Sequence, residues 1–160
     1  MVAVDLPDLK ILRSLHANGR MANAELARRC DLPPSTCLER VRRLEERGVI
    51  RGYRAVIDAR ELGLEIQALV AVSLARHQAV PIEGFEDAIR AVPEVRACYH
   101  VTGRYDYLIH VVVRDIDHLR ELVTKGLAAI PGVQREETFL VLSTPKEDEG
   151  FPLAGAAEDP

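Results

Sequence analysis

The chain has no run of about 18 apolar residues, the length a helix needs to cross a hydrocarbon layer, so a membrane-spanning segment is not expected. Its first residues lack a charged-then-apolar leader ending in small side chains, which argues against a signal peptide. Cysteine is scarce. Cys30, Cys37 and Cys98 are odd in number and fit no zinc spacing, so small buried thiols in a reducing compartment are expected rather than disulfides or metal ligands. A nucleophile elbow, a Gly-rich phosphate loop and a His-Glu-x-x-His pattern are all missing. The five histidines are scattered along the chain as His16, His77, His100, His110 and His118, and no metal or catalytic role is assigned to them. These absences point to a soluble, cytoplasmic protein with no cofactor, no metal and no membrane partner, and to something other than an enzyme.

What the chain does contain is an uneven charge. The net charge is −4. Residues 1–60 hold 12 Lys and Arg against 8 Asp and Glu, a net of +4, whereas residues 61–160 hold 9 against 17, a net of −8. A basic N-terminal third on an acidic remainder is the asymmetry expected when one domain meets phosphate and the other does not.

Hydrophobic periodicity divides the chain in the same place. Asp5, Pro7 and Asp8 open a first helix whose apolar positions are Ile11, Leu12 and Leu15, and Gly19 stops it. A second helix starts near Asn23, a good N-cap, and turns Leu26, Ala27 and Cys30 to one side before Asp31-Leu32-Pro33-Pro34 breaks the chain. A third runs from Ser35 to Arg47 with Cys37, Val41 and Leu44 inward, and ends at Gly48. Residues 49–57 read as a small hairpin or an extended linker, with the boundary near Asp58 to Gly63. Beyond it the pattern gives a strand over 66–74, a helix over 82–92, strands over 95–101 and 105–113 around a turn at Thr102-Gly103-Arg104, a helix over 116–130 and a strand over 133–142.

That order is βαββαβ, and it carries an internal echo. Ala91-Val92-Pro93-Glu94-Val95 recurs as Ala129-Ile130-Pro131-Gly132-Val133, each leading from a helix into a strand, the layout of a ferredoxin-like split unit. The fold class is therefore α+β: a winged or plain helix-turn-helix domain over 1–60, a ferredoxin-like domain over 61–145, and an acidic, then Pro- and Gly-bearing tail over 146–160 expected to be poorly ordered.

The run from Ser35 to Tyr53, STCLERVRRLEERGVIRGY, resembles the helix-turn-helix and hinge of the leucine-responsive regulator/AsnC family, the feast/famine regulators. Asp8, Ile11-Leu12, Gly19-Arg20 and Glu25-Leu26-Ala27 fit the same pattern, and Thr102-Gly103-Arg104-Tyr105-Asp106-Tyr107 resembles the family's effector-domain signature. The likeness spans roughly residues 4 to 144, and departs at Pro33, where the family usually has a capping serine. It implies a transcription regulator, homodimers assembling into octamers or related states, and an amino-acid effector, leucine or another small or branched one.

In a helix-turn-helix the third helix enters the major groove with its N-terminal residues at base edges. With Cys37, Val41 and Leu44 inward, Ser35, Thr36, Glu39, Arg40 and Arg43 take the remaining faces, and Arg40 or Arg43 can pair bidentately with guanine. Ser35 and Thr36 stand where a helix N-terminus favours phosphate, and Arg42, Arg51 and Arg54 are expected to track the backbone of double-stranded DNA. In the second domain Gly103 permits close approach to a ligand, Asp106 suits an ammonium, and the backbone N–H groups of the Thr102-Gly103-Arg104-Tyr105 turn suit a carboxylate. The resemblance adds Ile116 and Thr138 to that site and puts it between dimers. Two other classes compete: an architectural DNA-binding protein indifferent to ligand, and a metabolic enzyme, which the missing catalytic constellation disfavours.

Overall fold

The computed structural model describes residues 4–75, 82–147, 150, 151 and 153. His77 and most of the tail expected to be poorly ordered lie outside the described residues. The chain packs into two compact units, one running to Val56 and taking in the segment from Glu147, the other Ile57–Lys146.

The first unit holds three helices. α1 (Leu6–Ala17) is capped by Asp5, whose Oδ1 accepts the Asp8 N–H at 2.8 Å, with Pro7 in the first turn where its missing N–H is harmless. α2 (Asn23–Cys30) begins one residue earlier than expected. Ala22 is the cap, and the Asn23 amide instead donates across the turn to the Pro34 carbonyl at 2.9 Å. α2 ends on Asp31 in the left-handed region, φ 58°, where the Leu32 N–H reaches back to the Ala27 carbonyl at 2.9 Å; aspartate tolerates that conformation better than most side chains.

α3 (Pro34–Glu46) also starts earlier than the expected Ser35. Pro33 caps it through its carbonyl alone, accepting the Cys37 N–H at 2.9 Å, and Pro34 supplies a preset φ at the first helical position. The proline pair thus stands in for the serine cap. At the other end Gly48 takes φ +68°, letting the Gly48, Val49 and Ile50 N–H groups return to Glu45 and Leu44 carbonyls at 2.8 to 3.1 Å. Ile11, Leu26, Ala27, Cys30, Cys37 and Leu44 form the common core. Ile11, Cys37 and Leu44 are fully buried, and burial of each large aliphatic side chain contributes about 1.5 to 3 kcal/mol.

Of the two readings of the following segment, the linker is the one that forms. Residues 51–58 are exposed and lie outside any helix or strand.

The second unit is a four-stranded antiparallel sheet in the order β2-β3-β1-β4, built from β1 (Ile66–Leu74), α4 (Ile82–Arg90), β2 (Val95–His100), β3 (Tyr107–Val113), α5 (Ile116–Glu121) and β4 (Val133–Leu140). This is the expected βαββαβ order. Register explains the core. Ala68, Val70 and Val72 on β1 stand opposite Val111, Ile109 and Tyr107 on β3, so all six point the same way, and there they meet Phe85 and Ile89 of α4 and Leu119 of α5. Leu69, Tyr99 and Phe139 have the opposite parity and remain 39 to 59% exposed on the face these helices leave open.

Two local outcomes matter. The sequence echo is also an echo of bonding: Val92 N–H to Ile89 and Val95 N–H to Val92 are matched by Ile130 N–H to Leu127 and Val133 N–H to Ile130, all at 3.1 to 3.2 Å. The helix expected without a break over 116–130, by contrast, widens after Glu121 into a π turn over Leu122–Leu127, where Ala128 donates to Val123 five residues back at 3.0 Å. Thr124 Oγ1 bonds the Arg120 carbonyl at 2.7 Å, offering that carbonyl a side-chain partner in place of the regular ladder.

Candidate functional site

α3 presents two chemically different arginines where the sequence pattern suggested equivalents. Arg40 Nη1 lies 2.8 and 2.9 Å from the two oxygens of Asp5 and 2.7 Å from Asp8 Oδ1. Asp8 is 1% exposed, the one buried charged residue among the described residues. Burial opposes ionisation of Asp5, but the Asp8 N–H and the Arg40 guanidinium outweigh it and hold its carboxyl below the usual range. Hydrogen bonds to Asp5 and Asp8 raise Arg40 above its ordinary value in turn. Arg43 lies 3.7 Å from Asp8 Oδ2 and is half-exposed.

The other residues expected on the DNA face are open. Ser35, Glu39 and Arg42 are exposed on α3, Thr36 is half-buried beside them, and Arg51 and Arg54 are exposed on the linker. Tyr53 of that linker is fastened to α3, donating its hydroxyl to Glu45 Oε1 at 2.9 Å. The arrangement sets hydroxyls and guanidinium groups along one helix edge, with the partly exposed Leu38 beside them, followed by a basic linker.

In the second unit Thr102, Gly103 and Arg104 form the exposed β2–β3 turn, with Gly103 at φ +120°, a conformation glycine adopts without strain. Asp106 sits at its exit with its backbone and side chain already engaged. Its N–H donates to the Val72 carbonyl at 2.9 Å, its carbonyl accepts from Val101 at 2.9 Å, and its Oδ2 accepts the Leu74 N–H at 2.7 Å. The turn is thereby tied to the end of β1.

A polar cluster adjoins this turn and brings in two residues not expected there, Glu137 and Arg135. Tyr105 donates its hydroxyl to Glu137 on β4, which raises the Tyr105 hydroxyl above its ordinary range; Arg104 lies 3.9 Å and Arg135 3.8 Å from the same carboxylate. Arg104 also lies over the Tyr105 ring, 5.3 Å from its centroid. Glu137 comes from a strand more than 30 residues away in the chain, and only cross-strand register brings it here. Thr138, next to it, is exposed opposite Val70, and Ile116 is 53% exposed at the start of α5. Tyr107, the last residue of the signature, belongs to the core at 2% exposure: it packs on Phe85, stacks on His100 and donates to Glu86 Oε1 at 3.1 Å.

Comparison with known proteins matches this layout domain by domain. Residues 5–51 match a winged helix-turn-helix DNA-binding domain, and residues 67–151 match the Lrp/AsnC ligand binding domain. The chain is 38% identical over 145 residues to the leucine-responsive regulatory protein of Haemophilus influenzae, covering 91% of this chain and 87% of that one. It is 31% identical over 152 residues to the transcriptional regulator AzlB of Bacillus subtilis, covering 95% and 97%. A transcriptional regulator of Neisseria meningitidis solved with L-methionine superposes with a TM-score of 0.90 at 35% identity, covering 95% of this chain and 98% of that one. The AsnC protein of E. coli superposes with a TM-score of 0.83 at 29% identity, covering 91% and 97%. With a helix-turn-helix and a ligand-binding ferredoxin-like domain matched in the same order along one chain, this protein belongs to the Lrp/AsnC family of DNA-binding transcription regulators.

Proposed function

We propose that this chain regulates transcription in the cytoplasm by binding double-stranded DNA through α3 and the following linker, under the control of an amino acid held at the β2–β3 turn. The observation that carries the reading is the chemical split of α3: Arg40 is committed to buried and capping carboxylates, while Ser35, Thr36, Glu39, Arg42 and Arg43 remain on the accessible side. Arg43 is the base-reading candidate, Ser35 and Thr36 take phosphate near the helix N-terminus, and Arg42, Arg51 and Arg54 follow the backbone. In the second domain Asp106 keeps Oδ1 for an ammonium, the turn N–H groups over Thr102–Tyr105 receive a carboxylate, and Ile116 and Thr138 complete a site between dimers for leucine, another small or branched amino acid, or the linear methionine.

Homo-oligomers fit the same reading. The open sheet face with Leu69, Tyr99 and Phe139 suits a second copy, and dimers of this kind then assemble further.

The test pairs two measurements on the full chain. A thermal-shift screen against the twenty amino acids is expected to single out one chemical class, because a ligand at 100 times its Kd stabilises the native state by about 2.7 kcal/mol. Binding to a duplex selected by the protein from a random-sequence pool is then expected to change when that amino acid is added. Selective DNA binding with no response to any amino acid would refute effector control and favour an architectural protein; failure to select any duplex would refute the DNA reading itself.

A further inference from the structure

Asp8 does more in the first unit than hold Arg40. A fully buried carboxylate is expensive unless it is paired, and Asp8 is paired twice, each oxygen on a different arginine of α3. Oδ1 holds Arg40 at 2.7 Å, and Oδ2 faces Arg43 at 3.7 Å. The two arginines are three residues apart, one turn of helix, so a single carboxylate on α1 can reach both only in one rotational setting of α3. Arg40 is buried to 23% side-chain exposure and serves as the anchor. Arg43, at 51%, keeps its guanidinium in solvent yet is drawn toward one spot on the helix edge.

We infer that Asp8 is a positioning residue for DNA recognition: it fixes the rotation of α3 through Arg40 and restrains the Arg43 guanidinium in the orientation from which it reads a base. This rests on α3 being the DNA-reading helix. Preorganisation of this kind acts on discrimination more than on total affinity. A released Arg43 still attracts any phosphate, and Asp8→Asn also removes a negative charge near the DNA face, so non-specific binding holds or tightens while specific binding loses its fixed partner.

The experiment compares wild type, Asp8→Asn, Arg43→Ala and the double variant at one salt concentration. The probes are a duplex selected by the wild-type protein from a random-sequence pool and a scrambled duplex of the same length. Asp8→Asn is expected to lower the ratio of the two affinities about threefold, the size an exposed ion pair supports, and to have no further effect on that ratio in the Arg43→Ala background. An equal loss in both backgrounds, or no loss in wild type, overturns the positioning role while leaving α3 as the reading helix. An unchanged ratio in Arg43→Ala alone removes Arg43 from the DNA face and the proposal with it. The wild-type protein gives a second measurement that stands even where Asp8→Asn fails to fold: side-chain 15N relaxation is expected to show the Arg43 Nε–H more ordered than that of exposed Arg42, and equal mobility of the two overturns the tether.

Discussion

Replacing Asp106 by alanine separates the structural task of this side chain from the ammonium-binding role proposed for it. Its Oδ2 accepts the Leu74 N–H at 2.7 Å just where β1 leaves the ladder, and Leu74 is half-buried. Deleting the acceptor leaves that donor without its partner, a loss of about 1 to 3 kcal/mol for a buried group, with the lower end apt for a half-buried one. For a domain of this size about 1 kcal/mol corresponds to roughly 4 to 8 °C in the melting midpoint. Asp106→Asn keeps an acceptor oxygen and loses only the charge, so it is expected to melt between wild type and Asp106→Ala. Thermal unfolding followed by circular dichroism reads both. An Asp106→Ala protein that melts with wild type, or an Asp106→Asn protein that melts as low as Asp106→Ala, would refute the account of Asp106 as a sheet cap. Calorimetric titration of the folded Asp106→Asn protein with the amino acid found in the thermal screen then tests the ammonium role without the confounding loss of structure; undiminished affinity would remove Asp106 from the effector site.

Gly48→Ala is expected to destabilise the first unit by about 1 kcal/mol, because φ +68° costs an L side chain roughly 1 to 2 kcal/mol even though nothing lies within 4 Å of the new Cβ; an unchanged denaturant midpoint would show that the α3 terminus relaxes freely. Tyr107 is pushed up to about 12 by burial and by its bond to Glu86. Its folded-state value thus lies above the unfolded one, near 10, so the folded protein holds the proton longer, and the stability contributed below about pH 10 is lost as pH rises from there toward 12. Denaturation midpoints across that range should fall in wild type and fall less steeply in Tyr107→Phe, with parallel slopes counting against the assignment.

The helices and the strand order were legible with little loss because of periodicity, and the family because of the runs Ser35–Tyr53 and Thr102–Tyr107. A fully patterned element such as β1, over residues 66–74, has its burial written in its residues, and the observed bounds match the expected ones. Ends were less legible. Asn23 has the chemistry of a cap, but a bond to the Pro34 carbonyl, visible only once α2 and α3 are packed, pulls it inside the helix. The candidate site divides the same way. The turn carrying Gly103 and Asp106 was readable because a turn advertises itself locally, whereas Glu137 comes beside it only through the pairing of β4 with β1, which no local pattern encodes. Arg40 and Arg43 look alike in a helical projection. What distinguishes them is the start of α1: Asp5 bonds Arg40 and not Arg43, and Asp8 lies 2.7 Å from Arg40 against 3.7 Å from Arg43.

The π turn that follows α5 also bears on how this chain tolerates changes in length. A wide turn holds one residue more than a regular helix joining the same two points, as the bond from Ala128 to Val123 records. Removing Gly126 would return the segment to ordinary helical bonding and leave Ile130 and the turn into β4 near their places. The same single deletion within β1 would move every later side chain of that strand to the wrong face of the sheet. The domain therefore has a place where one residue can be lost, beside a strand where none can.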